Sequence, residues 1–138
     1  MVYTSVLFLH VLSAVIWIGG NILFFAVAPR LRTHPEGGSF ALRVLGRTFR
    51  VLSWMAFAIL LTTGAYFLSQ GWDYRTWPLS LKLVLVGIVL VFKSLHDFWI
   101  APAAAQKRGG FFTVALWIGR TNLLLGIVIL YLSVWIRG

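Results

Sequence analysis

The chain contains no cysteine, only three acidic residues and few charges of either sign. Without cysteine there are no disulfides, thiolate metal sites or thiol nucleophiles. Charged residues make up 11% of the chain and hydrophobic residues 60%, whereas soluble domains are about 25% charged and about 45–50% apolar. This composition excludes an ordinary soluble domain and predicts an integral membrane protein.

Four long apolar runs fill the 138 residues and leave only short connections. A membrane-spanning helix needs about 20 mostly apolar residues, so each run predicts one span, and the first is expected to be a span rather than a signal peptide. We expect an all-α fold, a single transmembrane domain built as an up-down four-helix bundle. The expected spans are residues 3–27, 51–70, 79–100 and 111–136. Pro29 and Pro102 are expected to end the first and third helices, and Ser39 to cap an interfacial helix start over 39–50.

Basic residues give the chain a net charge of +9 and lie beside the apolar runs. This placement indicates contact with lipid headgroups rather than nucleic acid. The first and third connections carry Arg30, Arg32, Arg43, Arg47, Arg50, Lys107 and Arg108, against Arg75 and Arg137 on the other side. Positive charge favours the cytoplasmic side. We therefore expect a protein of the inner (plasma) membrane with both termini outside. Two roles are open for Arg43, Arg47 and Arg50: they either bind lipid headgroups or only set the topology.

The first span carries a polar and aromatic stripe. At helical spacing, His10, Ala14, Trp17, Asn21 and Ala28 fall on one face, with Ser13 and Phe24 beside it. Such a stripe is expected to face other protein or a bound group rather than lipid. The histidine has two interpretations: a neutral residue hydrogen-bonded to a neighbouring helix, or a haem ligand, metal ligand or proton-transfer group.

The other polar residues of the spans fall into two groups by depth. The outer group is His10, Ser13, Thr62, Tyr66 and Lys82; the inner group is Asn21, Lys93, His96, Asp97, Arg120 and Asn122. Asp97 is the only acid inside a span, and it is expected either to form a structural ion pair with Lys93, His96 or Arg120 or to serve in a proton relay or in ligand gating. Arg120 pairs with that acid or holds a bound anion. Lys82 either snorkels to the headgroups or binds an anion such as a porphyrin propionate.

Two apolar motifs, HVLSAVIWIGG in the first span and LKLVLV in the third, together with Pro29, resemble the CopD-type (copper resistance D) membrane proteins. The chain is also similar to the HemJ-type protoporphyrinogen oxidases, which are small four-span bundles. By position, His10 matches the first-span histidine, Trp17 the tryptophan seven residues on, and Lys82 the third-span lysine. The resemblance implies that this histidine and lysine serve haem binding and activity.

Three functions remain open from the sequence. The first is a protein that binds b-type haem or porphyrin for membrane redox chemistry, with His10 as axial ligand and Lys82 or Arg120 near the propionates. The second is a copper permease that uses His10 and His96, although copper(I) prefers cysteine and methionine ligands. The third is a non-catalytic accessory subunit that packs against other membrane subunits or against further copies of itself. In the third case no cofactor is bound.

Overall fold

The computed structural model describes residues 1–73, 75–105 and 110–136, and these residues are helical almost throughout. The helices are α1 (Val2–Thr33), α2 (Gly38–Ser69), α3 (Trp77–Leu95), a π-helical turn (His96–Ile100), α4 (Ala101–Ala105) and α5 (Phe111–Trp135). No strand occurs in the described ranges, so the predicted all-α class is confirmed. The basic residues Lys107, Arg108 and Arg137 lie outside the described residues.

Four helical stretches are long and apolar enough to cross a membrane: Val2–Thr33, Gly38–Ser69, Trp77–Ala103 and Thr113–Trp135. The protein is therefore a multi-pass membrane protein by helix length and composition. The single domain expected from the sequence divides into two compact units. The first unit is Met1–Trp72 and the second is Asp73–Gly138.

The first unit is an antiparallel pair of helices, α1 and α2. Contacts between them run in opposite directions along the two helices, from Phe24 stacked on Phe49 through Trp17 against Phe57 to Tyr3 against Phe67. On α2 the buried residues are Gly38, Ser53, Ala56, Phe57 and Thr63, which recur at helical spacing. They define the face of α2 that packs on α1.

The turn between α1 and α2 depends on glycine rather than on the predicted serine cap. Gly37 precedes α2 in the left-handed backbone region, with φ of 70°, which glycine adopts without steric cost. Gly38 is the first helical residue and is buried. Ser39 is therefore inside the helix, and the prediction that it caps the helix is wrong. The predicted interfacial segment 39–50 and span 51–70 form one continuous helix.

Neither proline ends its helix, which corrects the sequence analysis. α1 continues past Pro29 to Thr33, whose hydroxyl donates to the carbonyl oxygen of Arg30 at 3.1 Å. The ring fixes a helical φ, and the helix continues although Pro29 has no N–H to donate to the carbonyl oxygen of Phe25. Pro102 is the second residue of α4, and α4 directly follows the π-helical turn. The wider π turn changes the backbone pairing there and accommodates the ring.

The second unit packs α3 and α5 against each other. Trp77 at the start of α3 contacts Trp135 at the end of α5, with ring centroids 5.8 Å apart, so the two helices are antiparallel. Leu79, Val89, Lys93 and Asp97 are buried on α3 and the π-helical turn; Gly119, Asn122, Gly126 and Leu132 are buried on α5. Three of these eight residues have apolar side chains, three have polar or charged ones and two are glycines, so the interior of this unit is unusually polar for a membrane helix pair.

Replacement of Gly38 by alanine is expected to destabilise the first unit. A Cβ atom at this position would overlap the carbonyl oxygen of Leu31 and lie 3.0 Å from Cβ of His34. Overpacking of this kind costs about 1–3 kcal/mol, so the apparent melting temperature in detergent should fall. The matched control is Gly19→Ala, because a Cβ at Gly19 meets nothing within 4 Å. Equal melting temperatures of the two variants would contradict the tight turn.

Candidate functional site

His10 is held by a hydroxyl on the neighbouring helix. Its Nδ1 lies 2.7 Å from Oγ1 of Thr63. That hydroxyl donates its own proton to the carbonyl oxygen of Ile59, at 2.6 Å. Since a hydroxyl has one proton to give, the Thr63 oxygen accepts from His10, and Nδ1 of the imidazole carries the hydrogen. In the neutral ring, Nε2 is then the basic nitrogen.

Aromatic and small residues of α2 surround the imidazole. The ring of Phe67 meets His10 edge to face, with centroids 5.6 Å apart, and Tyr3 contacts the same phenylalanine. A Cβ at Gly64 would lie 3.9 Å from Cε1 of the imidazole, so the ring rests against the backbone of α2. The imidazole is half-buried, with Thr63 and Phe67 of α2 as neighbours.

The rest of the polar stripe also turns toward α2. Trp17 is 5% exposed and packs edge to face on Phe57 at 5.3 Å. Asn21 donates from Nδ2 to the carbonyl oxygen of Trp17 at 2.8 Å, within its own helix. Ser13 is also buried. The stripe read from the sequence is therefore the face on which α1 packs.

A second polar site lies where α3 meets the π-helical turn. Nζ of Lys93 donates to Oδ2 of Asp97 at 2.8 Å, and Nδ1 of His96 lies 2.9 Å from Oδ1 of the same carboxylate. Each carboxylate oxygen thus has its own nitrogen partner. The lysine and aspartate are buried, 6% and 8% exposed. We call Lys93, His96 and Asp97 the charged triad.

The spacing of the charged triad explains its geometry. Lys93 and Asp97 are four residues apart, the distance at which helical side chains meet. His96 and Asp97 are sequence neighbours, whose side chains diverge on a regular helix. Their hydrogen bond forms in the first residues of the π-helical turn. Such turns are rare and often occur at functional sites.

The remaining predicted residues are dispersed. Asp97 pairs with Lys93 and His96 among its expected partners, while Arg120 is exposed on α5 and forms no ion pair with it within the described residues. Lys82 is half-buried on α3. Asn122 is buried, and its Oδ1 has no hydrogen-bond partner in the part of the chain that the structure describes. Exposed arginines occupy the start of α2: Arg43, Arg47 and Arg50.

Sequence reasoning chose the wrong threonine for the outer polar group. Thr62 is exposed and donates to carbonyl oxygens of its own helix, whereas Thr63 reaches His10. Thr63 follows Ala56 by seven residues, which places Ala56 and Thr63 on the same buried face of α2. This spacing is the signal that would have found Thr63. The predicted outer group also divides between the units: His10 and Tyr66 belong to the first and Lys82 to the second.

The described residues contain no group of three or more His, Cys, Asp or Glu side chains that could hold a metal ion. A copper site built from several protein ligands therefore finds no counterpart in residues 1–73, 75–105 and 110–136. Haem binding differs in this respect, because a single imidazole can serve as the axial ligand. His10, with its fixed ring, is the described residue that best meets this requirement.

These features define a helical multi-pass membrane protein with two separate polar sites. Residues 12–109 match the model of a domain of unknown function, DUF4149. The chain is also 33% identical over 137 residues to an uncharacterized protein of Aquifex aeolicus (strain VF5), a match that covers 95% of this chain and 92% of that protein. No solved structure matches. The chain belongs to the DUF4149 family, whose match contains the charged triad and Lys82 and begins just after His10.

The charged triad is expected to show strong coupling between Lys93 and Asp97. Lys93→Met or Asp97→Leu alone leaves a buried charge without its main partner, at a cost of about 3–5 kcal/mol, whereas the double variant removes both charges and costs little. The measurement is thermal unfolding of the full chain in detergent for the four members of the cycle.

The control for this cycle is Arg47→Met on the exposed face of α2, which should change stability by less than about 0.5 kcal/mol. A double variant as unstable as the two single effects added together would contradict the coupling.

Proposed function

We propose that this membrane protein binds b-type haem or a related porphyrin through His10 and serves membrane redox chemistry. The observation that carries the proposal is the hydrogen bond from Nδ1 of His10 to Thr63. Histidines that bind metals commonly donate their other ring nitrogen to a fixed acceptor, which sets the tautomer and the ring orientation. In this chain Thr63 has that role, and Nε2 is the ligand atom.

The surroundings of His10 suit a large apolar cofactor. Phe67 packs against the imidazole itself, and Tyr3 contacts the same phenylalanine. The proposed group supplies reversible one-electron chemistry, and the protein supplies the ligand, its orientation and the apolar environment. Trp17 stabilises the α1–α2 pair beneath this site. The partner of the anionic propionates is proposed to be Lys82, which the family resemblance supports, or Arg120.

A second candidate function is that of an accessory subunit in a larger membrane complex. The observation that favours it is the exposed position of Arg120 on α5, about 13 Å from the start of that helix. Its neighbours Trp117 and Leu124 are also exposed. A guanidinium at this depth is costly against hydrocarbon, and an acidic or polar group of another subunit would stabilise it.

The proposed location is the inner (plasma) membrane, with the turn between α1 and α2 in the cytoplasm. Arg30, Arg32, Arg43, Arg47 and Arg50 all lie near that turn, at one end of the first unit. Positive charge of this density favours the cytoplasmic side and anionic headgroups. Both termini would then lie on the outer side.

The haem proposal predicts a visible absorption spectrum with a Soret band that sharpens on reduction by dithionite. The full chain is purified in detergent, and His10→Ala should lose the band completely. Thr63→Val keeps the shape of the side chain but removes the acceptor, so haem affinity should fall about 10–100-fold. The matched control is His34→Ala, since this histidine lies in the turn between α1 and α2.

A colourless wild-type protein, or a spectrum unchanged in His10→Ala, would overturn the haem proposal. If the colourless protein also co-purifies with other membrane proteins in fixed stoichiometry, the accessory-subunit function is supported instead.

The proposed topology is testable because the chain has no cysteine of its own. Thr33→Cys and Thr76→Cys each place one thiol at an exposed position, one at the end of α1 and the other just before α3. In intact cells a membrane-impermeant maleimide should label Thr76→Cys and should label Thr33→Cys only after the cells are opened. The opposite pattern would reverse the proposed orientation.

A further inference from the structure

The charged triad places three ionisable side chains within about one helical turn inside a spanning segment. Lys93 and Asp97 form a direct ion pair at 2.8 Å, so their charges cancel. A neutral His96 leaves the cluster with no net charge. Within the charged triad, the lysine and the aspartate balance each other, and the histidine is bonded to the aspartate in addition.

The hydrogen bonds of the charged triad assign a role to each nitrogen. The ammonium of Lys93 can only donate, and it does so to Oδ2. An ionised carboxylate can only accept, so Nδ1 of His96 carries the proton that Oδ1 receives. Nε2 is then the basic atom of the ring. A carboxylate on the far nitrogen fixes the orientation of the imidazole, as in carboxylate–histidine pairs elsewhere.

The histidine is also the most accessible member of the charged triad. Its side chain is 29% exposed, against 7% for Lys93 and 10% for Asp97. The imidazole therefore lies at the surface of the second unit, while the ion pair behind it is buried. His96 lies at the end of the second unit that carries α4, and α4 begins about five residues after it in the chain.

Among the described residues, the packed helices α4 and α5 carry one charged side chain, Arg120. α4, Ala101–Ala105, contains no titratable side chain. On α5 the charged residue is Arg120, which is exposed. Trp77 of α3 and Trp135 of α5 are at the same height in the unit because they are in contact. By the rise per residue from that contact, Asn122 and Lys93 differ in height along the helix axes by about 5 Å or less. Its buried Oδ1, which has no hydrogen-bond partner among the described residues, is a neutral acceptor on the α5 side.

We propose that the charged triad is a proton-accepting site, in which Nε2 of His96 takes up and releases one proton. The lone pair of Nε2 forms the new N–H bond with a proton delivered by water, and the ring becomes an imidazolium. Lys93 keeps its three protons and Asp97 stays ionised, so the net charge of the cluster changes from zero to +1. The carboxylate then bonds a cation on each oxygen. Asp97 is the positioning residue, and the bound species is a proton.

This proposal is independent of haem binding, because the charged triad and His10 belong to different units. Histidine is the side chain that changes charge near neutral pH without special perturbation. Acidic and histidine side chains within spans are the groups from which proton relays are built. A site of this kind lets the protein respond to the proton concentration on one side of the membrane, or change its conformation with that concentration.

The test is nitrogen NMR of the full chain with ¹⁵N-labelled histidine in lipid nanodiscs. Spectra are recorded from about pH 5 to about pH 8, the interval in which imidazoles change charge. His96→Gln identifies the signals of His96 by their disappearance. We expect Nε2 of His96 to change from unprotonated to protonated as the pH falls, while Nδ1 keeps its proton throughout.

Two variants separate proton acceptance from a structural hydrogen bond. In the Lys93→Met, Asp97→Leu double variant the acceptor of Nδ1 is removed without leaving a buried charge, so the neutral His96 ring should populate both tautomers. In the control His34→Gln, which alters a turn histidine bonded to the carbonyl oxygen of Glu36, the response of His96 should be unchanged. A His96 that keeps one protonation state throughout, or whose tautomer is unaffected by the double variant, would overturn the proposal.

Discussion

A polar group inside a membrane must find its partner within the protein, because hydrocarbon offers none. The helices meet this requirement first with their own backbones. Hydroxyls throughout the spans donate to carbonyl oxygens three or four residues earlier: Ser53, Thr62, Thr63, Ser94, Thr121 and Ser133. Such a bond satisfies the hydroxyl proton and leaves the oxygen as an acceptor. In Thr63 that oxygen is what His10 uses, so the local bond determines the chemistry of the site.

The two span histidines donate Nδ1–H to different kinds of acceptor. His10 binds a neutral hydroxyl in an otherwise aromatic setting, whereas His96 binds a carboxylate that is also paired with a lysine. The hydroxyl fixes the ring without adding charge, which suits a ligand atom for an apolar cofactor. The carboxylate stabilises a positive ring, which suits a proton acceptor. The same residue type therefore supports different proposals in the two units.

Much of this arrangement can be predicted from the sequence. The apolar runs identify the spans, helical spacing identifies the face of α1 that carries His10 and Trp17, and the four-residue interval pairs Lys93 with Asp97. Local rules fail where another helix or an irregular turn decides. Whether Thr62 or Thr63 meets His10 depends on the rotation of α2, which its own pattern defines only within about one residue. The bond between His96 and Asp97 forms in a π-helical turn, for which the sequence has no simple signature.

The two prolines show that a local sequence rule can also predict a helix end that does not occur. The rule that proline ends a helix rests on one missing N–H and one steric clash. At Pro29 these costs do not end the helix, since α1 continues to Thr33. Pro102 lies just after the π-helical turn, where the backbone pairing is wider. The helices therefore extend beyond the spans that hydropathy and proline placement indicate.

Polar and close contacts carry more of the specificity here than in a soluble helix pair. Apolar side chains gain nothing by leaving lipid for one another, so membrane helices associate through packing and hydrogen bonds. The buried apolar side chains are few: Trp17, Ala56, Phe57, Leu79, Val89 and Leu132. The register of α1 on α2 instead depends on contacts such as His10 with Thr63 and Gly20 against the ring of Phe49. The residues proposed for function thus also hold the helices in place, and loss of activity in a variant at these positions identifies a functional role only when the helix pair is shown to be intact.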